Sequence, residues 1–233
     1  MDFKIKTKPE GRQEWPQTPA DQNFRDYTYY QHRHKKGFNL APGEALEIGI
    51  AWLILSLAFG ILYSNNDIDS FKLTFPISLA TVGLGFILHE LGHKYLAQHY
   101  GLEAIFKANY RGLVWAVFLS LAGFILVTPG GVFIRGQTLT RQQHGKIALT
   151  GPLMNLLLGV GFLAIYLNPY LNIRILSIAS LLGYKINAWI SLFNMIPAQG
   201  FDGKKILEWN VIVYALMAAL TGGMYLLSYT LKG

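Results

Sequence analysis

The sequence predicts an all-α polytopic membrane protein with about five to six transmembrane helices. Only 14% of its 233 residues are charged and 52% are hydrophobic, whereas soluble domains carry about 25% charged residues. The hydrophobic residues also gather into long blocks separated by short polar stretches. A spanning helix needs about 20 predominantly apolar residues, so these blocks favour a bilayer over a soluble core.

The chain divides into a tail and a membrane domain. Residues 1–46 are polar and contain several prolines, which predicts a loosely ordered N-terminal tail. Pro42 and Glu44 are typical of the start of a first helix. The membrane domain is predicted at residues 47–233, with apolar blocks at residues 48–64, 73–98, 113–128, 147–167, 175–196 and 211–231. Of these, block 113–128 is short for a spanning helix.

A segment at residues 129–136 differs from the apolar blocks around it. Glycines lie at both ends, and Val132, Phe133 and Ile134 fill the middle. β-Branched and aromatic residues between glycines are typical of a short strand. The sequence therefore predicts a short membrane-associated β-strand or hairpin here, with a plain loop as the alternative.

Composition also limits the chemistry. The chain has no cysteine, so no thiolate can act as nucleophile or metal ligand, and a metal would be bound by His and carboxylate side chains. The formal net charge is +7, but no basic run with interleaved aromatic residues accompanies it in the apolar part of the chain. We therefore expect no nucleic-acid partner and attribute the positive charge to orientation in a lipid bilayer.

The segment HELGH at residues 89–93 has the pattern H-E-x-x-H. On a helix, His89 and His93 lie on one face, so both imidazoles can reach one metal ion, and Glu90 beside them can accept a proton from water activated there. Ionisable groups inside a bilayer cost about 2.5–3.5 kcal/mol each on insertion scales, which favours a functional role. The alternative is a helix end at the membrane interface, where the same side chains meet water.

A zinc site of this kind needs a third protein ligand, and the apolar blocks contain few acidic residues. Asp202 is the strongest candidate because it follows Pro197 and Gly200, which interrupt the preceding helix. An Asp-Gly pair is also typical of an ordinary turn, and taken alone the turn is the better interpretation.

Three ordered motifs resemble the site-2 protease family of intramembrane zinc metalloproteases (peptidase family M50). They are HELGH at 89–93, GPLMN at 151–155, and NMIP at 194–197 followed by DG at 202–203. The resemblance implies one zinc ion per chain, bound by His89, His93 and Asp202, with Glu90 as the catalytic base. It also implies regulated intramembrane proteolysis, in which the substrate is a membrane protein cut in or near a transmembrane helix.

The same resemblance suggests further site residues. Asn155 and Asn194 match family asparagines near the site and are predicted to bind substrate backbone or a developing oxyanion. The alternative is that their amides join helices to one another. Residues 129–131 resemble the start of the family's membrane-associated strand, which can bind a substrate strand along its edge.

Topology offers an independent prediction. His89 and His93 lie near the C-terminal end of block 73–98, and Asp202 lies just beyond block 175–196. One ion can join them only if the two helices are parallel, which requires an odd number of crossings between them. Block 147–167 supplies one crossing, so block 113–128 is predicted to be re-entrant.

The positive charges predict the orientation, because cytoplasmic loops are enriched in Lys and Arg. With a cytoplasmic N-terminus, the active site opens toward the cytoplasmic half. The basic residues then placed inside are Arg33, Lys35, Lys36, Lys94, Lys107, Arg111, Arg135, Arg141, Lys146, Lys204 and Lys205, and those outside are Lys72, Arg174 and Lys232.

Two other functions stay open. A catalytically silent homologue would bind transmembrane helices without cutting them, and a transporter could use His and Asp as ion ligands in broken helices. The intact Glu90 disfavours the first, because a binding protein needs no base beside the metal. The order of the H-E-x-x-H motif and the lack of an evident inverted repeat disfavour the second.

Overall fold

The computed structural model describes residues 37–125, 128–135, 139–171 and 173–231. Residues 1–36 of the predicted tail (residues 1–46) therefore lie outside the described residues. The elements, in chain order, are α1 (Glu44–Ser64), α2 (Ile68–His99), β1 (Glu103–Ala108), α3 (Tyr110–Leu121), β2 (Gly130–Arg135), α4 (Arg141–Tyr166), α5 (Arg174–Asn194), α6 (Asp202–Trp209) and α7 (Val211–Thr230).

Five helices of the described chain, α1, α2, α4, α5 and α7, are long and apolar enough to cross a membrane. The predicted fold class, an all-α polytopic membrane protein, is confirmed. Several helices begin before the predicted apolar blocks because polar residues cap them. The side chain of Asp67 accepts a hydrogen bond from the backbone N–H of Ser70 at the start of α2. Thr140 and Gln143 form a capping box at the start of α4.

The five long helices alternate in direction, so that α2 and α5 are parallel. This is the arrangement that a shared metal ion between their C-terminal ends requires. The contacts that set these directions are Glu44 with Lys94 and Trp52 with Leu79 between α1 and α2, His93 with Ile147 and Gly85 with Asn155 between α2 and α4, Pro152 with Ser191 and Asn155 with Asn187 between α4 and α5, and Tyr184 with Met224 between α5 and α7.

The segment between α2 and α4 is a helix held between two paired strands. β1 and β2 are antiparallel, with Glu103 opposite Arg135 and Ala108 opposite Gly130. The strand predicted at residues 129–136 is therefore present, and its partner β1 was missed by the sequence analysis. Helix α3 has 12 residues, about 18 Å at 1.5 Å per residue. Because Ala108 and Gly130 are neighbours, the chain leaves and rejoins the sheet at the same place.

The outward faces of the long helices carry large apolar side chains. In α7, for example, Val211, Leu216 and Leu226 are each at least 60% exposed. Exposed apolar surface on this scale would be unfavourable in water and is what helices that face lipid require. Packing between helices instead uses close approaches, such as that of Gly83 to the indole of Trp52.

Candidate metal centre

Two imidazoles and one carboxylate converge on a single point. The Nε2 atoms of His89 and His93 lie 3.3 Å and 3.0 Å from Oδ2 of Asp202. All three residues are buried, although His93 and Asp202 are far apart in the sequence. The two histidines are one turn apart on α2, so the helix itself aims both rings at the same place. Within the described residues, these ligand atoms can all reach one ion.

The other ring nitrogen of each histidine is held by a hydrogen bond. His89 Nδ1 lies 2.6 Å from Oδ1 of Asn155, and His93 Nδ1 lies 2.8 Å from the carbonyl oxygen of Ile147. A carbonyl oxygen can only accept, so His93 Nδ1 carries a proton and Nε2 is left with a free lone pair. The structure thus fixes the tautomer of His93 that can bind a metal.

For His89 the same conclusion follows from Asn155. The amide nitrogen of Asn155 donates to the carbonyl oxygen of Gly85 at 3.0 Å and to Oδ1 of Asn187 at 2.9 Å. The side of the Asn155 amide that contacts the Gly85 carbonyl oxygen must be the NH2 group, because two acceptor oxygens cannot bond to each other. The amide oxygen of Asn155 therefore faces His89. His89 Nδ1 then donates to it, and His89 Nε2 is free to bind metal.

The space for the metal depends on Gly151, the first residue of the GPLMN motif. It lies on α4 opposite the two histidines, and a Cβ atom built there would be 2.5 Å from Nε2 of both His89 and His93. Any side chain would occupy the place where the ring nitrogens converge. The absence of a side chain at Gly151 therefore creates the open volume that an ion needs.

The third ligand is positioned by the turn that follows α5. Asp202 is the first residue of α6, so its carboxylate lies at the positive end of a helix dipole. Gly203 allows this turn to close, since a Cβ there would be 2.3 Å from the carbonyl oxygen of Met195. Oδ1 of Asp202 accepts a hydrogen bond from Lys205 at 3.1 Å. Burial would raise the pKa of Asp202, but His93, His89 and Lys205 hold it well below its usual range.

Glu90 lies beside the ligands and is buried, with 7% exposure. Its Oε2 atom has no hydrogen-bond partner among the described residues. A buried polar atom in that state costs about 1–3 kcal/mol, which indicates that something binds there in the working protein. Glu90 and the three ligands line a cavity of about 760 Å³, large enough to admit water and a segment of peptide.

The two predicted asparagines have different positions. Asn194 lines the cavity, and its amide nitrogen donates to the carbonyl oxygen of Ile190 at 2.9 Å, so its contact with substrate stays a prediction. Asn155 is fully buried, and its amide is bonded to His89, Gly85 and Asn187. Substrate or oxyanion binding by Asn155 therefore also stays a prediction. In the structure, its amide faces His89 Nδ1 and joins α4 to α2 and α5.

The sequence analysis missed three residues that shape the site. Gly151 leaves the space open, Asn187 bonds to Asn155, and Lys205 bonds to Asp202. Asn187 had a usable signal, because a polar amide within an apolar block such as 175–196 is costly unless it has a partner. Lys205 also had a local signal, because residues three apart on a helix are neighbours and Lys205 follows Asp202 at that spacing. The role of Gly151 as an open space depends on a contact with α2 and had no separate local signal.

Comparison with known proteins agrees with this chemistry. The chain is 37% identical over 195 residues to a protein named "Putative zinc metalloprotease MJ0611" from Methanocaldococcus jannaschii, and the match covers 83% of this chain and 96% of that protein. The chain belongs to this family of zinc metalloproteases. A second relative from the same organism, zinc metalloprotease MJ0392, is 26% identical over 173 residues, which is 71% of this chain and 42% of that protein. No protein-family model and no solved structure matches the chain.

The residues of this metalloprotease fit a zinc ion. Two imidazole nitrogens and one carboxylate oxygen are a ligand set typical of catalytic zinc, which keeps a further position for water or substrate. Both histidines present the free nitrogen toward Asp202, and Gly151 leaves the volume open. His89, His93 and Asp202 would hold the ion. Glu90 lines the same cavity, and its Oε2 atom has no hydrogen-bond partner among the described residues.

Proposed function

We propose that this metalloprotease is an intramembrane endopeptidase of the site-2 protease type. Its substrates are membrane proteins, and it hydrolyses peptide bonds in or near their transmembrane segments. The observation that carries the proposal is the position of His89, Glu90 and His93 on α2, a helix long and apolar enough to span a bilayer. A catalytic site on such a helix meets its substrate within or beside the membrane.

Each site residue has a role in this reaction. His89, His93 and Asp202 hold the zinc ion, and Asn155 and Ile147 keep the two imidazoles in the required tautomer. Zinc, when bound, polarises a carbonyl group and lowers the pKa of water to about 7. Glu90 accepts the proton of the attacking water and can return it to the leaving amine. Asn194 lines the cavity, which supports a contact with the peptide.

A transmembrane helix must unwind before its backbone can be cut, and the unwound segment needs hydrogen-bond partners inside the membrane. Strand β2 can supply them. Its residues 130–134 line the cavity, and its single strand partner in the described chain is β1. The second edge of β2 thus supports binding of an extended substrate segment by strand addition.

Metal removal tests this function. The purified protein is placed in proteoliposomes with a substrate protein that has one transmembrane helix. We expect a strong chelator to abolish cleavage and one equivalent of zinc per chain to restore it, because water activation needs the ion. Mass spectrometry of the fragments should locate the cut in or beside the transmembrane segment. Cleavage that persists in a metal-free protein would contradict the proposal.

The main alternative is a silent homologue that binds transmembrane helices without cutting them. The same proteoliposomes discriminate, because such a protein would retain the substrate in a complex and release no fragments with or without zinc. The unpartnered carboxylate oxygen of Glu90 favours the enzyme, since a binding protein would gain stability by satisfying or replacing it.

The proposed orientation has a cytoplasmic N-terminus and a catalytic site in the cytoplasmic half of the bilayer. Lys94 contributes nothing to this assignment, contrary to the charge count made from sequence, because its side chain is fully buried against Glu44. The other cytoplasmic Lys and Arg residues still outnumber those outside. The pairing of Ala108 with Gly130 supports a re-entrant segment between the strands, since both of its ends lie together.

Cysteine labelling tests the orientation in this cysteine-free chain. Gln142 and Tyr170 are exposed near opposite ends of α4. We expect an impermeant thiol reagent to label Gln142→Cys from the cytoplasmic side and Tyr170→Cys from the outside, with both labelled equally in detergent. The reverse pattern would invert the proposed topology, and labelling of both from one side would contradict a spanning α4.

A further inference from the structure

A buried ion pair lies one residue beyond the metal ligand His93. The ammonium group of Lys94 is 2.8 Å from Oε1 of Glu44, and both side chains have no exposed surface. Neither residue belongs to the catalytic site. Taking two charges out of water is costly, and a buried pair is often no more stable than apolar residues of similar volume. Its presence here is therefore better explained by the geometry it imposes than by stability.

The pair is bonded to the backbone of β1. Oε1 of Glu44 accepts a hydrogen bond from the N–H of Phe106 at 2.8 Å, and Lys94 donates to the carbonyl oxygen of Ala104. One turn further along α1, Oε2 of Glu47 accepts from the N–H of Ala108 at 2.8 Å. Side chains thus hold three alternate residues along one edge of the strand.

These contacts occupy the edge of the sheet along β1. The other edge, along β2, faces the cavity. In an antiparallel pair, alternate residues direct their backbone groups away from the partner strand. Residues 104, 106 and 108 face the side chains of α1 and α2, so β2 pairs with the opposite edge of β1. An added strand cannot bind at the occupied edge of β1. It can bind along β2, whose residues 130–134 line the cavity with Glu90.

The same contacts connect the sheet to the metal centre. Lys94 follows His93 on α2, so one helical turn carries both a metal ligand and an anchor of β1. Helix α2 and strand β1 also pack directly against each other. The rings of Phe86 on α2 and Phe106 on β1 meet edge to face, with centroids 5.7 Å apart. Lys94, Glu44 and β1 therefore help to set the position of β2 relative to His89 and His93, together with the packing of Val132 and Ile134 against the cluster that contains Ala97 and Ile147.

We propose that Glu44, Lys94 and Glu47 form a sheet clamp that sets the register of a bound peptide segment relative to the metal centre. These are positioning residues, because they act through β1 and β2 without touching the substrate. The proposal rests on the peptidase function proposed above and deepens it. It assigns the choice of scissile bond to the attachment of the sheet to α1 and α2.

Two variants test the clamp in full-length protein with the proteoliposome assay. Glu47→Met keeps a side chain of similar length but removes the acceptor of the Ala108 N–H and the partner of Lys107, with which Glu47 pairs at 2.9 Å. The double variant Glu44→Gln with Lys94→Met removes the buried pair without leaving an unpaired charge. Asp69→Asn is the matched control, because Asp69 forms an exposed ion pair with Lys72 at the start of α2.

We expect both clamp variants to retain stoichiometric zinc. Their kcat/KM should fall by about 10- to 100-fold, the effect of a misplacement of about 1 Å, chiefly through KM. Fragment masses should show cuts at neighbouring bonds, a change that loss of stability alone would not produce. Asp69→Asn should cut at the same bond as the wild type.

The outcomes separate the two proposals. If the wild-type protein releases no fragments, the peptidase function fails. If it cuts the substrate and Glu47→Met cuts the same single bond with unchanged KM, the clamp is refuted, however the double variant behaves. A shifted or widened set of cleavage positions with zinc retained supports the clamp.

Discussion

Glu90→Gln is expected to abolish peptide-bond cleavage while the protein keeps its zinc. The replacement has nearly the same shape but cannot accept a proton, and loss of a general base costs on the order of 10²–10⁴-fold in rate. Glu90 is not one of the three converging ligands, so the metal site should survive. Fragment release in proteoliposomes measures the rate, and elemental analysis of the same preparation measures bound zinc.

The matched control for this variant is Glu208→Gln. Glu208 forms an exposed, long ion pair of 3.8 Å with Lys204 on α6, and such pairs contribute little to stability. We expect wild-type cleavage and zinc content for this control. Full activity of Glu90→Gln would show that another group accepts the proton, whereas loss of its zinc would assign Glu90 a role in metal binding.

Gly151→Ala is expected to remove zinc without changing any ligand. The new Cβ would lie 2.5 Å from Nε2 of both His89 and His93, far inside van der Waals contact, so the rings must turn or α4 must move away. Either movement separates the imidazoles from Asp202. We expect zinc affinity to fall by about 100-fold, at the upper end for changes next to metal ligands. Competition with a fluorescent zinc chelator gives the affinity.

Gly161→Ala provides the comparison on the same helix. A Cβ at Gly161 would meet no atom within 4 Å, and alanine is a better helix former than glycine. Zinc affinity and thermal stability should therefore be unchanged or slightly improved. If Gly151→Ala bound zinc as tightly as this control, the metal would not bind in the space between the two imidazole rings and α4.

The membrane class and the histidine pair could be predicted because their signals are local. A run of apolar residues needs no knowledge of its neighbours to indicate a spanning helix. His89 and His93 share a face of whatever helix contains them, since the spacing fixes their relative direction. The strand at Gly130–Arg135 was also predictable from its glycines and β-branched residues, although a loop was an equal alternative.

Other features escaped the sequence because each depends on a partner from a distant segment. Strand β1 (Glu103–Ala108) contains two charged residues, and it forms because β2 pairs with one edge while Glu44 and Glu47 bond the other. Lys94 resembled a cytoplasmic surface charge until its contact with Glu44 was visible.

By itself, the sequence determined a polytopic membrane protein with a histidine pair and an adjacent acid, because helical spacing and hydrophobicity act over a few turns. The tertiary structure decided that Asp202 is the carboxylate facing both rings, that Asn155 holds His89, and that Gly151 leaves room for an ion. Those outcomes depend on the packing of α4 antiparallel to both α2 and α5. This packing sets the distances between side chains that spacing along the chain leaves undefined.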